Sequence, residues 1–354
     1  MILVLNAGSS SLKIEVFDEG LISIISGRVT NLGTVGELRL GGATSQVAAR
    51  DHAHALELML GGLAEAGFPL ASFAAAAHRI VHGGAVLTQP ARLRPPVIAT
   101  IESVIPLAPL HNPNNLAGVY ALQQLAPELP QYCSFGTAFH ATNPEVATRY
   151  AIPQVHHDAG IRRYGFHGLS YANLVADFGD ALPAHLLAFH LGNGASLCAI
   201  RNGKSIATSM GYSPLSGLTM GTRSGDIDGA AVLRISKSLG EDDTDRMLNK
   251  NSGLQALAGD NNMKTLLERE DDAAKFAVEH FCYWAARHAG SAVVAMGGLD
   301  AVAFTGGIGE NAAPIRERIM ELLSFFGDVP VHVMAADEEK QIARDAFALI
   351  AEGR

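Results

Sequence analysis

The sequence predicts an α/β protein built as two compact domains, and three observations carry that prediction. Its 354 residues are more than one hydrophobic core ordinarily organises. Short apolar runs bounded by glycine and serine turns alternate with segments of helical periodicity, as in a layered α/β fold. A strand–turn–strand unit at the start returns near residue 190, as two similar halves would give.

The first unit opens with an apolar run over residues 1–5, a polar turn over 6–11 and a second run over 14–17. The second has an apolar run over 186–191, the turn GNGAS and a run over 197–200. A third glycine cluster follows the strand-like run 301–305. There GGIGEN reads as a turn leading into helical periodicity over 312–326, a geometry that offers backbone N–H groups to an anion or a nucleotide. Its spacing is neither a Rossmann fingerprint nor a Walker loop. Helices are expected over 54–66, 116–125, 167–178, 230–239 and 271–296. No Pro- or Ser-rich linker separates the halves, and the boundary is placed near residues 141–143.

Composition excludes several classes of function. With 17% charged and 48% hydrophobic residues the chain is neither disordered nor a coiled coil. A net charge of −9 argues against nucleic acid or an anionic membrane as a partner, though a few arginines in a cleft still suit a small anion. Cys133, Cys198 and Cys282 are scattered and odd in number, and read as buried small hydrophobes in a reducing cytosol. No signal peptide is read at the start. The most apolar stretch, 291–306, is interrupted by Gly297, Gly298 and Asp300, so a cytoplasmic protein without a membrane span is expected.

Arginine and histidine gather in glycine-flanked segments, where a ligand can come close to the side chain. Arg79 and Arg223 are placed at strand ends; each is either an ordinary ion pair or a fork for a carboxylate or phosphate. His111, His167 and His190 stand beside turns after apolar runs, where an imidazole can donate to developing phosphoryl charge. His52, His54, His288 and His332 read as packing or surface residues. His156, His157 and Asp158 come nearest to a zinc set and read instead as a solvated loop.

Eight segments then occur in order along nearly the whole chain: NAGSSSLK from Asn6, RIVHGG from Arg79, PLHNPN from Pro109, TAFH from Thr137, RRYGFHG from Arg162, HLGNGAS from His190, MGTRSGDID from Met220 and FTGGIGEN from Phe304. Together they resemble the signatures of the acetate kinase family. That resemblance implies two ribonuclease-H-like domains of the sugar kinase, Hsc70 and actin type: residues 1–141 with 340–354, and 142–339. It implies Mg²⁺-dependent (alternatively Mn²⁺-dependent), reversible phosphoryl transfer between ATP and acetate, giving acetyl phosphate and ADP, in a cytoplasmic homodimer.

By the same resemblance Asn6 with Ser9, Ser11 and Lys13 faces phosphates and metal, and Glu338 is the second metal-associated residue. Arg79, His111 and Arg223 hold the substrate, and His167, Arg79 and Arg223 are catalytic. Lys13, His190, Leu191, Gly192, Asn193, Gly194, Gly307, Ile308, Gly309, Glu310 and Asn311 contact the nucleotide.

The chain departs from the family pattern in places. Gly136 stands where the family's FDTAFH has a catalytic aspartate, Leu169 and Tyr171 replace a threonine and a histidine, and Ser224 and Gly229 are further changes. Three other readings stay open on sequence: a propionate kinase, a nucleotide-binding relative impaired at Gly136, and a chaperone-type ATPase on the same fold. The last lacks any peptide-binding module in this length.

Overall fold

The structure is a computed structural model that describes all residues, Met1–Arg354. Two compact units result: Met1–Ala138 with Asp337–Arg354, and Phe139–Ala336. Both crossings fall three residues before the positions expected. Phe139 packs with the core of the second unit, and His140 is hydrogen-bonded to Ser205 and to the Phe166 carbonyl there. Asp337 caps the C-terminal helix (Glu338–Ala351) by accepting from the Lys340 amide, so it travels with that helix.

The first unit has an eight-stranded sheet made of β1 (Ile2–Ala7), β2 (Ser11–Phe17), β3 (Ser23–Thr30), β4 (Gly36–Leu40), β5 (Ala43–Val47), β6 (Ala75–Ile80), β7 (Ala91–Arg92) and β8 (Gln131–Phe135). The spatial order is β5-β4-β3-β2-β1-β6-β8-β7. β1, β2 and β3 run antiparallel, whereas β1, β6 and β8 are parallel. β1 is apolar and buried along almost its whole length, as a central strand covered on both faces must be. One face packs Leu3, Leu5, Leu12, Ile14 and Val16 against Leu56, Met59 and Leu63 of α1 (His52–Glu65). Asp51 caps that helix by accepting from the His54 amide. Beyond α2 (Pro95–Ser103), α3 (Asn112–Leu125) buries Leu116 and Val119 against Ile80, Cys133 and Phe135.

The second unit repeats the plan. Its sheet comprises β9 (His185–Leu191), β10 (Ala195–Arg201), β11 (Lys204–Thr208), β12 (Ala301–Thr305) and β13 (Val331–Val333) in the order β11-β10-β9-β12-β13. Again the first three strands are antiparallel and the last two run parallel to the first. The ribonuclease-H-like order implied by the resemblance is therefore present in both halves. In both hairpins the chemistry-bearing pair sits one rung before the turn: Asn6 opposite Lys13, and His190 opposite Ser196.

The helices of this unit are α4 (Glu145–Thr148), α5 (Gln154–Asp158), α6 (Gly168–Phe178), α7 (Gly229–Leu239), α8 (Glu241–Lys250), α9 (Gly253–Ala258), α10 (Met263–Glu268), α11 (Asp272–Met296), α12 (Gly306–Asn311) and α13 (Ala313–Leu322). The five expected helices are found within a few residues of their positions. α11 begins at an Asp271 cap and ends at Gly297 in the left-handed region, and its buried alanines let it lie close to the sheet. No helix is long and apolar enough to cross a membrane. All three cysteines are free and buried.

Four local expectations need correction. GGIGEN is not a turn but a helix, α12. Only Gly306 is turn-like, with φ at 79° and room for no Cβ, which would lie 2.7 Å from the Leu191 carbonyl oxygen. His156, His157 and Asp158 belong to the short helix α5 rather than to a loop, and no cluster of three metal-ligating side chains forms anywhere in the chain. Arg223 is not at a strand end but in the irregular segment between β11 and α7, and His111 immediately precedes α3 rather than following a strand.

Candidate active site

Each unit gathers its own cluster of the expected residues. In the first, Asn6 near the end of β1 and Lys13 opposite it on β2 both reach the C-terminal helix, but the acid they meet is Glu339. Asn6 Nδ2 donates to Glu339 Oε1 at 3.1 Å, and Lys13 Nζ lies 3.0 Å from Glu339 Oε2. Burial alone would raise the Glu339 carboxyl. The Lys13 ammonium and the Asn6 amide outweigh it and hold the group below the ordinary carboxylate range. Lys13 moves in the matching sense, upward, because Glu339 and Glu15 outweigh its own burial.

Glu338, the neighbouring acid, accepts instead from Arg79 Nε at 2.7 Å, with both side chains about one-fifth exposed or less (20% and 16%). Both acids occupy the first turn of the helix, where its dipole favours negative charge. Asn6 Oδ1 and the two carboxylates offer only oxygen donors. That set suits a hard divalent cation, which takes one or two carboxylates with water and substrate oxygens for the rest.

The loops beside this cluster are staked by asparagines. Asn115 accepts from the Val81 amide at 2.9 Å and donates to the Ala7 carbonyl at 2.7 Å, while Asn112 brackets His82 by accepting from its amide and donating to its carbonyl. The PLHNPNN segment therefore holds β1 and the loop after β6 in place. Thr137 Oγ1 accepts from the Gly83 amide at 3.2 Å and the Gly136 amide donates to the Ile80 carbonyl at 2.9 Å. A Cβ at Gly136 would lie 2.9 Å from the Val81 carbonyl oxygen, so this closed junction has little room for a side chain.

In the second unit His167, at φ 58° just before α6, places its ring 4.2 Å from His190 in a stacked pair. Tyr171 is fully buried and its phenol is pushed up by that burial, so it keeps its proton and donates to Ser196 Oγ at 2.6 Å. Ser196 Oγ also lies 2.8 Å from His167 Nδ1; the tautomer in which Nδ1 accepts from that hydroxyl is the one that carries its proton on Nε2. His190 Nδ1 is 2.9 Å from Ser170 Oγ.

Arg223 converges on the same place: a Cβ built on Gly194 would lie 3.3 Å from Arg223 Nη1 and 3.4 Å from His167 Nε2. Only the Pro214 carbonyl, at 3.4 Å, and the Met220 sulfur, at 3.9 Å, accept from this guanidinium. No carboxylate balances it, and burial alone lowers its pKa. A desolvated cation without a counter-charge, beside a donor-bearing imidazole and a glycine turn, is arranged to take an anion.

Next to this turn lies a cavity of about 840 Å³, within the usual range of small-molecule sites. Gly192, Asn193, Gly307, Ile308 and Asn311, five of the residues that the resemblance assigns to the nucleotide, line it. The other six expected nucleotide residues do not line it, Gly194 being the one that faces Arg223 and His167. Leu191 is buried in the sheet core, Gly309 is buried in α12, and Glu310 accepts from the Ala336 amide. Lys13 belongs to the acidic cluster of the first unit and His190 to the stacked pair. Sequence reasoning missed Asn262, Met263, Lys264 and Glu268, which complete the wall from α10. That helix is too short for periodicity to reveal it; the only signal is the Asn262 side chain that caps it by accepting from the Lys264 amide.

With this geometry in hand, the comparisons with known proteins are decisive about family. A model of the Acetokinase family matches residues 1–348. An acetate kinase of Streptomyces coelicolor is 38% identical over 99% of this chain and 97% of the relative, and one of Pseudarthrobacter chlorophenolicus is 38% identical over the full length of both. Among solved structures, the Porphyromonas gingivalis acetate kinase superposes with a TM-score of 0.92 at 33% identity, covering 99% of each chain. A Francisella tularensis propionate kinase gives 0.92 at 36%, covering 97% and 98%.

Proposed function

The chain belongs to the acetokinase family, and from that premise we propose that it transfers the γ-phosphoryl group of ATP to acetate, reversibly, giving acetyl phosphate and ADP. The observation that carries this reading is Arg223, a desolvated guanidinium with no acid of its own that converges with His167 on Gly194.

The acceptor is already a carboxylate at neutral pH, so no general base is needed. One acceptor oxygen attacks the γ-phosphorus as the bond to the β–γ bridging oxygen breaks, and that electron pair leaves with ADP. In the loose transition state charge spreads over three equatorial oxygens, and positioned positive charge supplies the rate. In this reading Arg223 and His167 Nε2–H donate to those oxygens, while Gly192, Asn193 and Gly194 bring backbone close to the phosphates. Gly307, Ile308 and Asn311, with Asn262 and Lys264 across the cavity, hold the nucleoside. Arg79 and His111 receive the acceptor carboxylate. When bound, Mg²⁺, with Mn²⁺ as the alternative, neutralises phosphate charge, and Asn6 with Glu338 and Glu339 is the set that would hold it.

Position 136 needs no carboxylate in this scheme, because oxygen ligands come from Asn6, the two glutamates and water. Nothing in the comparisons supports an impaired relative. The propionate kinase among the similar structures keeps propionate as the competing acceptor. The same reading makes the protein a cytoplasmic homodimer, supported by Leu233, Leu239, Phe276 and Tyr283, which are exposed on helices of the second unit. Formation of acetyl hydroxamate from Mg-ATP and acetate, compared with propionate, tests the reaction and the acceptor together. Absence of product with both would refute it.

A further inference from the structure

Arg79 carries an internal anion. Glu338 accepts from its Nε at 2.7 Å, and no protein group accepts from Nη1 or Nη2. The fork that would take an acceptor carboxylate is therefore free, but its charge is already matched. The neighbourhood adds to this: Lys13 faces Glu339 at 3.0 Å and Glu15 at 3.5 Å. The groups joined by these contacts are two cations and three acids, and an incoming carboxylate adds a further negative charge to that partly buried set.

We infer that Glu338 sets the affinity of this unit for the acceptor, acting as a built-in counter-anion on Arg79, so that an acceptor carboxylate binds weakly until a cation is taken up beside Glu338. The inference rests on the reading of Arg79 given above and deepens it. Like charges held a few ångströms apart at low exposure repel by enough to change binding roughly tenfold or more. Because coupling between two ligands is reciprocal, whatever neutralises Glu338 must tighten the acceptor, and the acceptor must tighten the cation. Glu338 is thus a positioning and tuning residue acting through Arg79. Its glutamine variant keeps an oxygen to accept from Nε and removes only the charge.

The test is equilibrium binding of labelled acetate to the full chain, without nucleotide, followed by NMR with and without Mg²⁺. The variants are Glu338→Gln, Glu338→Asp and, as a control for the site, Arg79→Ala. Without metal, Glu338→Gln should bind acetate about tenfold tighter than the original chain, Glu338→Asp should stay near it, and Arg79→Ala should not bind. Mg²⁺ alone should tighten acetate several-fold in the original chain and hardly at all in Glu338→Gln. Equal or weaker binding by Glu338→Gln would overturn the inference. So would an original chain whose acetate affinity ignores Mg²⁺, an outcome readable even if the glutamine variant fails to fold. If the original chain turns over acetate but shows neither effect, this inference alone falls. If it turns over neither acetate nor propionate, the functional reading falls first.

Discussion

Replacing Arg223 with alanine separates a catalytic cation from a structural one. Where an arginine serves structure through a buried ion pair with an acid partner, deleting it strands that acid at a cost of about 3–5 kcal/mol. Arg223 has none: its guanidinium meets only a carbonyl at 3.4 Å and a thioether at 3.9 Å, and burial destabilises its charged form. Removing it relieves a desolvated charge, so the unfolding midpoint should hold or rise slightly. Turnover should behave oppositely. A preorganised donor aimed at developing charge is worth roughly 3–4 kcal/mol, or about 10²–10³ in kcat. A lysine at the same position keeps the charge but not the fork, and should recover only part of the loss. The assay is acetyl hydroxamate formation at saturating Mg-ATP and acetate, run beside a urea melt of each variant. The reasoning is refuted if the alanine variant keeps more than about a tenth of wild-type kcat, or if it loses stability in proportion to activity.

Three further outcomes follow from other parts of the molecule. His78 and His140 are buried and neutral, each pushed down to about 4 by burial. Their stabilising contribution is present above the unfolded histidine value near 6.5 and is lost as pH falls from there to about 4, by roughly 3 kcal/mol each. Asp345, raised to about 6 by burial, opposes this by holding a proton in the folded chain between its ordinary value and about 6. Urea midpoints should therefore drop between pH 7 and pH 4.5, and a flat profile would contradict the histidine assignments. Gly136→Asp should lower stability by about 1–3 kcal/mol through the close approach to the Val81 carbonyl, without raising kcat as much as tenfold; a large gain in turnover would show that a carboxylate is missing there. Lys264→Ala should raise the KM for ATP several-fold and leave that for acetate unchanged, and a change confined to acetate would remove α10 from the nucleotide site.

Much of this organisation is legible in the sequence because strand–turn–strand patterns and glycine placement report local geometry directly. The two hairpins and the five expected helices follow from residues close in sequence, whereas His167, Asn193 and Arg223 are brought to one site only by the family resemblance. The parts that needed the structure depend on partners far apart in the chain. Nothing local says that Asn6 meets Glu339 while its neighbour Glu338 turns to Arg79, across 333 and 259 residues. Helical rotation of about 100° per residue sends adjacent side chains in different directions, and only the docking of the C-terminal helix decides which acid faces which strand. The hydrogen-bonded chain of Tyr171, Ser196 and His167 is hidden for the same reason, since it joins α6 to β10. GGIGEN was misjudged because six residues rich in glycine look like a turn, whereas one positive φ at Gly306 suffices to start a helix.

The central claim is a Mg²⁺-dependent transfer of phosphoryl from ATP to a short-chain carboxylate, and its most direct test is steady-state turnover of the purified chain with acetate, trapped as the hydroxamate, before and after removing divalent metal. The account predicts turnover of about one per second or more, abolished by chelation and restored by Mg²⁺. A chain that hydrolyses or binds ATP yet forms no acyl phosphate from acetate or propionate would contradict it.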